Sequence, residues 1–280
     1  MPGRARRKTT ATRKPAARKP ASKKPSAAQD LPEASAGQRI WVLDVPYRAP
    51  APGAKYYKGI KAYAYVGTDL PTELATYANK PYSYARWAED ELNGGVGLGT
   101  AGMGAVAVAK QPRQEQLEAA AAIVAAHAAG HRGFLLADDP GVGKTGSAVL
   151  AAREILDAQI RDGKGSGTAL ITVDRPAQIT IPAWRDALAA FGDGGHRWLI
   201  MSPDQLKKLL GGNGRPKHHF DVIINDEAQQ FRHLTAQRTQ YQRRINKLSA
   251  EPAKAPFVIT VTATPGHHPG VMRSVWQCLT

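Results

Sequence analysis

Residues 138–145 read Asp-Asp-Pro-Gly-Val-Gly-Lys-Thr and lie between an apolar, β-rich run at 133–137 and a helical pattern with Val149, Ala152, Ile155 and Leu156 on one face. Strand, glycine-bearing loop and helix in that order make a cradle for phosphate. Gly141 and Gly143, with Val142 between them, let backbone amides approach a polyphosphate at the helix N-terminus. Lys144 is placed to neutralise β and γ phosphates, and the Thr145 hydroxyl to ligate magnesium. The general pattern has glycine where Asp138 stands. A second signal follows 82 residues after Lys144, where an apolar run at 221–225 ends in Asp226-Glu227-Ala228-Gln229. A carboxylate leaving the end of a strand can hold magnesium through water, and its neighbour can orient an attacking water. Those roles fall to Asp226 and Glu227; an acidic cap on the following helix is the structural alternative. The chemistry so described is hydrolysis of ATP with Mg2+, with Lys144, Asp226 and Glu227 as the catalytic set.

Such residues need a scaffold that brings them to one edge. From residue 111 onward, β-rich runs at 133–137, 168–173, 197–201, 220–225 and 257–262 alternate with helical stretches near 114–129, 144–158, 182–191, 203–210 and 234–248. That alternation predicts an α/β fold, a parallel P-loop sheet with helices on both faces. Ahead of it, extended runs at 39–45 and 61–67 and helical patterns near 70–78 and 83–92 predict a small α+β appendage over 38–93. Its aromatic residues, Tyr56, Tyr57, Tyr63, Tyr65, Tyr77, Tyr82, Tyr84 and Trp87, could stack on bases, but the simpler expectation is the core of a domain short of Leu and Ile. Residues 97–102 match Gly-x-Gly-x-x-Gly without a strand before or a helix after, so 94–110 is expected to be a linker rather than a dinucleotide site.

The chain has 280 residues and a net charge of +15, from 38 Lys+Arg against 23 Asp+Glu. Ten of the basic residues lie within 1–29, with no acidic one, leaving +5 for the rest. That stretch, rich also in Ala, Pro, Ser and Thr, cannot bury enough apolar surface to offset its ordering entropy, so 1–37 is expected to be a disordered basic tail. Arg4, Arg6, Arg7 and Lys8 begin an arm suited to phosphate backbones through counterion release, without base readout. A solvated tail or a transit peptide has similar composition. A single cysteine, Cys278, excludes an internal disulfide and a multi-thiolate zinc site. The pairs His218-His219 and His267-His268 lack partners at ligand spacing. Arg238, Arg243, Arg244 and Lys247 mark a basic helix face after the acidic box, suited to DNA or to a second domain, with a solvated face the equal alternative. No apolar run approaches the ~18 residues of a membrane span.

Six ordered motifs over about 170 of the 280 residues resemble the first RecA-like domain of a superfamily-two helicase of the Swi/Snf-like translocase type. That family's loop carries Asp at the position of Asp138. Arg113-x-x-Gln116 is similar to its adenine-recognising segment and implies that role for Gln116. Residues 170–184, ending in Trp184, match its strand, Pro-containing loop and Trp. Residues 198–206 resemble the next nucleic-acid-facing motif, with Ser202 where Thr is usual. Val261-Thr262-Ala263-Thr264-Pro265 is similar to its coupling motif, and Gln229 stands where His is usual, so the resemblance implies coupling through Gln229, Thr262 and Thr264.

The resemblance implies ATP-driven movement on DNA, expected to be double-stranded. Relatives continue into a second RecA-like domain that supplies an arginine finger worth about 10³–10⁵ in rate. Here the chain stops at Thr280, so a half-motor is expected, weak alone and completed by a second RecA-like domain on a separate polypeptide. Competing readings are a nucleotide-gated DNA-binding protein without turnover, and another DNA-directed P-loop motor such as a packaging ATPase. The expected setting is cytoplasmic and nucleoid-associated, in a bacterial or phage-infected host, with no membrane partner.

Overall fold

The computed structural model describes residues 30–46, 48–78, 80–94, 110–161, 167–173, 176–211, 213–227, 231, 236–246 and 255–263. Arg4, Arg6, Arg7 and Lys8, the glycine-rich 95–109, Gln229, Thr264, His267, His268 and Cys278 lie outside them.

Five runs of β-branched and aliphatic residues form one parallel sheet: β4 (Gly133–Ala137), β5 (Thr168–Thr172), β6 (Arg197–Met201), β7 (Val222–Asp226) and β8 (Phe257–Thr262), in the order β4-β8-β7-β5-β6. Every neighbouring pair is parallel, so every connection is a crossover. The predicted α/β class is the observed one. Successive side chains alternate between two buried faces. Ala169, Ile171, Trp198, Ile200, Val222, Ile224, Phe257, Ile259 and Val261 meet α3 (Gln114–Ala128), α4 (Lys144–Arg161) and α5 (Ala177–Phe191) in one apolar cluster. Leu170, Leu199, Met201, Ile223 and Val258 point the other way, into a second cluster.

That second face is covered differently. A 3₁₀ helix (Pro203–Leu209) and α6 (Gln237–Asn246) contribute Leu206, Leu209 and Ile245. The same cluster contains Ile40, Val42, Ala64, Tyr84, Trp87 and Ala88 from the segment ahead of residue 94. That segment forms an antiparallel sheet, β1 (Arg39–Leu43), β2 (Lys55–Tyr57) and β3 (Ala62–Gly67) in the order β1-β3-β2, with α1 (Thr72–Ala75) and α2 (Tyr84–Leu92). Trp87 packs on Phe220 with ring centroids 5.4 Å apart, and Arg197 stacks over Trp87 at 4.0 Å. Polar links reinforce the contact. The Ile200 N–H, on the outer strand of the large sheet, donates to the Tyr82 carbonyl at 2.8 Å. The Lys61 ammonium donates to the Lys207 and Leu210 carbonyls at 2.8 and 3.1 Å, placing a cation at the C-terminus of the 3₁₀ helix.

Several elements depart from the pattern expected of the sequence. Residues 203–209 are 3₁₀ rather than α because Pro203, Leu206 and Leu209 all face the core, a spacing of three that matches three residues per turn. Helix α5 begins at Ala177, five residues before Pro182. Its first turn closes on the Pro176 carbonyl, and burial of Trp184 and Leu188 outweighs the hydrogen bond that Pro182 cannot donate. Strand β2, three residues long, was too short for a periodic signal. The open edge of β1 is closed by α2: the Glu89 carboxylate accepts from the Val42 N–H at 3.2 Å and from Arg39 at 2.8 Å, and the Asn93 side chain accepts from the Ile40 N–H at 3.1 Å.

Candidate nucleotide site

The carboxyl ends of β4, β8 and β7 are adjacent, because β8 pairs with both of the others. Residues far apart in the chain are thereby brought to one edge. The loop at 138–143 leaves β4, Thr262 ends β8 opposite Ala137, and Asp226 ends β7 opposite Val261. In open α/β sheets this edge is where ligands bind.

The loop turns directly into α4, whose first residue is Lys144. Gly141 and Gly143 adopt φ of +88° and +91°, the left-handed region open to glycine. The Lys144 ammonium donates to the carbonyls of Asp138 and Asp139 at 2.8 and 2.7 Å, curling the loop over its own lysine. Among the described residues Lys144 has no carboxylate partner. The first turn of α4 begins with the Gly146 N–H donating to the Gly143 carbonyl at 2.9 Å. Thr145 follows Lys144 on that turn, half-buried.

The start of α3 braces this loop from behind. Gln116 is buried; its side-chain oxygen accepts the Arg113 N–H at 3.0 Å, and its amide nitrogen donates to the Gly143 carbonyl at 3.0 Å. The Arg113 guanidinium donates to the carbonyls of Gly141 and Val142. Contact is close enough that a Cβ at Gly143 would lie 2.3 Å from the Gln116 amide nitrogen, and one at Gly146 2.6 Å from it. Gln116, expected at an adenine ring, therefore holds loop backbone in this structure. Where the approach to α3 meets α4 and α5, Lys110, Pro112, Leu150, Arg153, Phe191 and Gly192 line a cavity of about 380 Å³. No residue of the phosphate loop lines it.

Across the edge, the Trp184 indole N–H donates to Asp226 Oδ2 at 2.7 Å. Trp184 is 1% exposed, so a rigid, buried ring orients the carboxylate. Glu227 has φ +50°, an uncommon backbone for a residue with a side chain, and strain of this kind clusters at functional sites. The next residues, 228–230, lie outside the described set, so the position of Gln229 is not part of this geometry. Ser202 follows β6 on the same edge, with β8, β7 and β5 between its strand and β4. It therefore stands apart from the phosphate loop.

Sequence reasoning overlooked two features. One is the role of the Trp184 indole, which no periodicity reveals. The other is a buried polar row across the second face of the sheet, formed by Thr172, Asn225 and Thr260 in register. The Thr172 hydroxyl donates to Asn225 Oδ1 at 2.9 Å, and Thr260 Oγ1 has no hydrogen-bond partner among the described residues. Polar residues inside strands that are otherwise apolar were the available signal. Among the described residues no group of three His, Cys, Asp or Glu could hold a metal by protein ligands alone, and no helix is long and apolar enough to cross a membrane.

No protein-family model matches the chain, and no curated protein does. Among solved structures, the chain is similar to a nuclease-deletion mutant of the Type ISP restriction-modification enzyme LlaGI in complex with a DNA substrate mimic, at 17% identity and a TM-score of 0.34. The match covers 57% of this chain and 18% of that one, so the chain spans less than a fifth of that enzyme's length.

Proposed function

We propose that this chain carries the ATP-binding module of a Swi/Snf-like DNA helicase or translocase, which couples ATP hydrolysis to movement on duplex DNA. The observation that carries the reading is the convergence, on one sheet edge, of the loop from β4, Asp226 and Glu227 from β7, and Thr262 from β8. The donor set suits a magnesium nucleotide. An ammonium held, among the described residues, by two carbonyls is available to exchange them for phosphate oxygens, and the loop amides at a helix N-terminus favour an anion. Lys144 would hold the β and γ phosphates, and Thr145 and Asp226 the magnesium, which when bound neutralises charge developing on the phosphates. Glu227 would orient the attacking water and accept its proton. Thr262, with Gln229 and Thr264, would transmit the state of the site toward nucleic acid. Full turnover would call on a second RecA-like domain, on this or another polypeptide, to supply an arginine finger.

The test is in two steps. Equilibrium binding of a fluorescent ATP analogue with magnesium should be saturable and abolished by Lys144→Ala; absence of binding in the parent chain refutes the proposal. Single-turnover hydrolysis with duplex DNA should fall about 10²–10⁴-fold in Glu227→Gln while nucleotide binding persists. Equal hydrolysis in both would refute the role of Glu227, and no hydrolysis by the parent even with a second RecA-like domain supplied would leave only nucleotide-gated DNA binding.

A further inference from the structure

The two faces of the small antiparallel sheet differ. Ile40, Val42 and Ala64 point into the core shared with the large sheet. The opposite face presents Arg39 and Trp41 from β1, Tyr63 and Tyr65 from β3, and Tyr56 from β2. Trp41 pairs with Tyr65, and Tyr56 with Tyr63. The paired ring centroids lie 6.0 and 5.4 Å apart, and the Arg39 guanidinium lies 5.7 Å from the Trp41 ring. None of the four rings belongs to either apolar cluster, and Tyr56 is 46% exposed. Gly67 follows Tyr65 on this face; a Cβ there would lie 2.7 Å from the Tyr65 ring, so the missing side chain lets that ring lie along the sheet. The face is closed at one end by Leu43, which is buried.

Tyr56, Tyr63 and Tyr65 stand outside both apolar clusters, against the expectation that they form a core, and with Trp41 they make a row in which Tyr56 is exposed and the other three are half-buried. Their arrangement suits a different partner. Neighbouring strands are about 4.8 Å apart and same-side residues along a strand about 7 Å, a pitch on which successive unstacked bases can settle, ring on ring. The surroundings complement a phosphate chain. Residues 45–67 carry four cations and no acidic residue; Lys58 lies exposed in the β2–β3 turn, while Lys55, in register with Ala64, and Lys61, on the 3₁₀ helix, serve the other face. The segment 1–29, with its ten basic residues, joins the fold at Asp30, whose carboxylate accepts from the Lys58 N–H at 2.8 Å and whose carbonyl accepts from the Gly59 N–H at 3.0 Å. Asp30, where that segment joins the fold, thus sits on the β2–β3 turn between the strands that carry Tyr56 and Tyr63. We infer that this sheet face is a stacking platform for the unpaired bases of single-stranded nucleic acid, bound without sequence preference and separate from the phosphate loop. Duplex DNA keeps its base faces covered and gives the rings nothing to stack on.

Binding of fluorescein-labelled oligothymidylate and oligouridylate of about 20 nucleotides, and of a duplex of equal length, tests this by anisotropy. The full chain is used without nucleotide, so the outcome does not depend on the proposed ATP site. Oligothymidylate should quench Trp41 fluorescence. Tyr56→Ala should weaken single-strand binding roughly tenfold and Trp41→Ala by as much again, with Phe at either position restoring most of the loss. Because stacking releases no counterions, the slope of affinity against salt should not change, and duplex binding should be unaffected. A preference between the two oligomers would identify the strand as DNA or RNA, and either supports the platform. Tyr56, half outside the fold, can be truncated without opening a core, so its variant remains informative if Trp41→Ala is unstable. Unchanged single-strand affinity in Tyr56→Ala, an equal loss for duplex, or a fall in self-association with no strand preference would each overturn the inference.

Discussion

The hydrogen bond from Trp184 to Asp226 lends itself to a quantitative test. Trp184→Phe keeps an aromatic ring but removes the donor 2.7 Å from Asp226 Oδ2. A hydrogen bond to a charged acceptor contributes about 1.5–3 kcal/mol. Trp184 is fully buried, so the smaller ring also leaves a void costing about 1 kcal/mol. Together the loss should be about 3 kcal/mol, which in a domain of this size lowers Tm by roughly 6–12 °C. The void term says nothing of the carboxylate, so the informative quantity is the coupling in a cycle with Asp226→Asn, read by urea unfolding. A coupling of about 1–2 kcal/mol is expected, since Asn retains an acceptor but no charge. Affinity for ATP with magnesium should fall in Trp184→Phe, while affinity with EDTA present stays near that of the parent. A coupling below about 0.5 kcal/mol, or equal loss with and without magnesium, would show that the indole only fills space.

Three further outcomes follow from the same geometry. Gly143→Ala should abolish nucleotide binding and destabilise the fold by at least about 1–3 kcal/mol in thermal unfolding, because φ is +91° and the new Cβ would sit 2.3 Å from the Gln116 amide. Asp221 is pushed upward by burial, but hydrogen bonds from His219 and from the Thr168 N–H and hydroxyl outweigh that and hold it below the ordinary carboxylate value. A lowered folded value contributes stability that is complete above the unfolded pKa of about 3.9 and is lost as pH falls through the folded one. Asp221→Asn should therefore destabilise the protein at neutral pH and flatten its acid unfolding limb, measured by circular dichroism against pH. Deleting residues 1–29 removes ten cations and should flatten the salt dependence of duplex binding; an unchanged slope would make the segment a solvated extension.

How far the sequence led depended on the range of the interactions involved. Parallel strands buried on both faces are mostly apolar, so all five strands of the large sheet were visible as short runs bounded by breakers, with ends within two residues of the observed ones. The phosphate loop was visible because its geometry is local: left-handed glycines and a helix start lie within a few residues of each other. The strand order was not visible, since it depends on which crossovers pass over β8 and β7, and it is this order that sets Thr262 between the loop and Asp226. The same limit hid the partners of long side chains. Nothing in the spacing of Gln116 and Gly143, or of Trp184 and Asp226, indicates that each pair meets.

The aromatic residues of the small sheet divide this contrast most clearly. Composition alone established that the segment is rich in rings and poor in Leu and Ile, which favours burial because rings carry large apolar area. Only pairing determines which rings are buried. In a strand, side chains alternate faces, so a register shift of one residue would exchange the set facing the core with the set facing solvent. The observed register, Trp41 with Tyr65 and Tyr56 with Tyr63, turns Val42 and Ala64 into the shared core and sets the four rings on the other face, Tyr56 exposed and the rest half-buried. Local residue preferences determined that strands form; contacts between distant segments determined what each strand face meets.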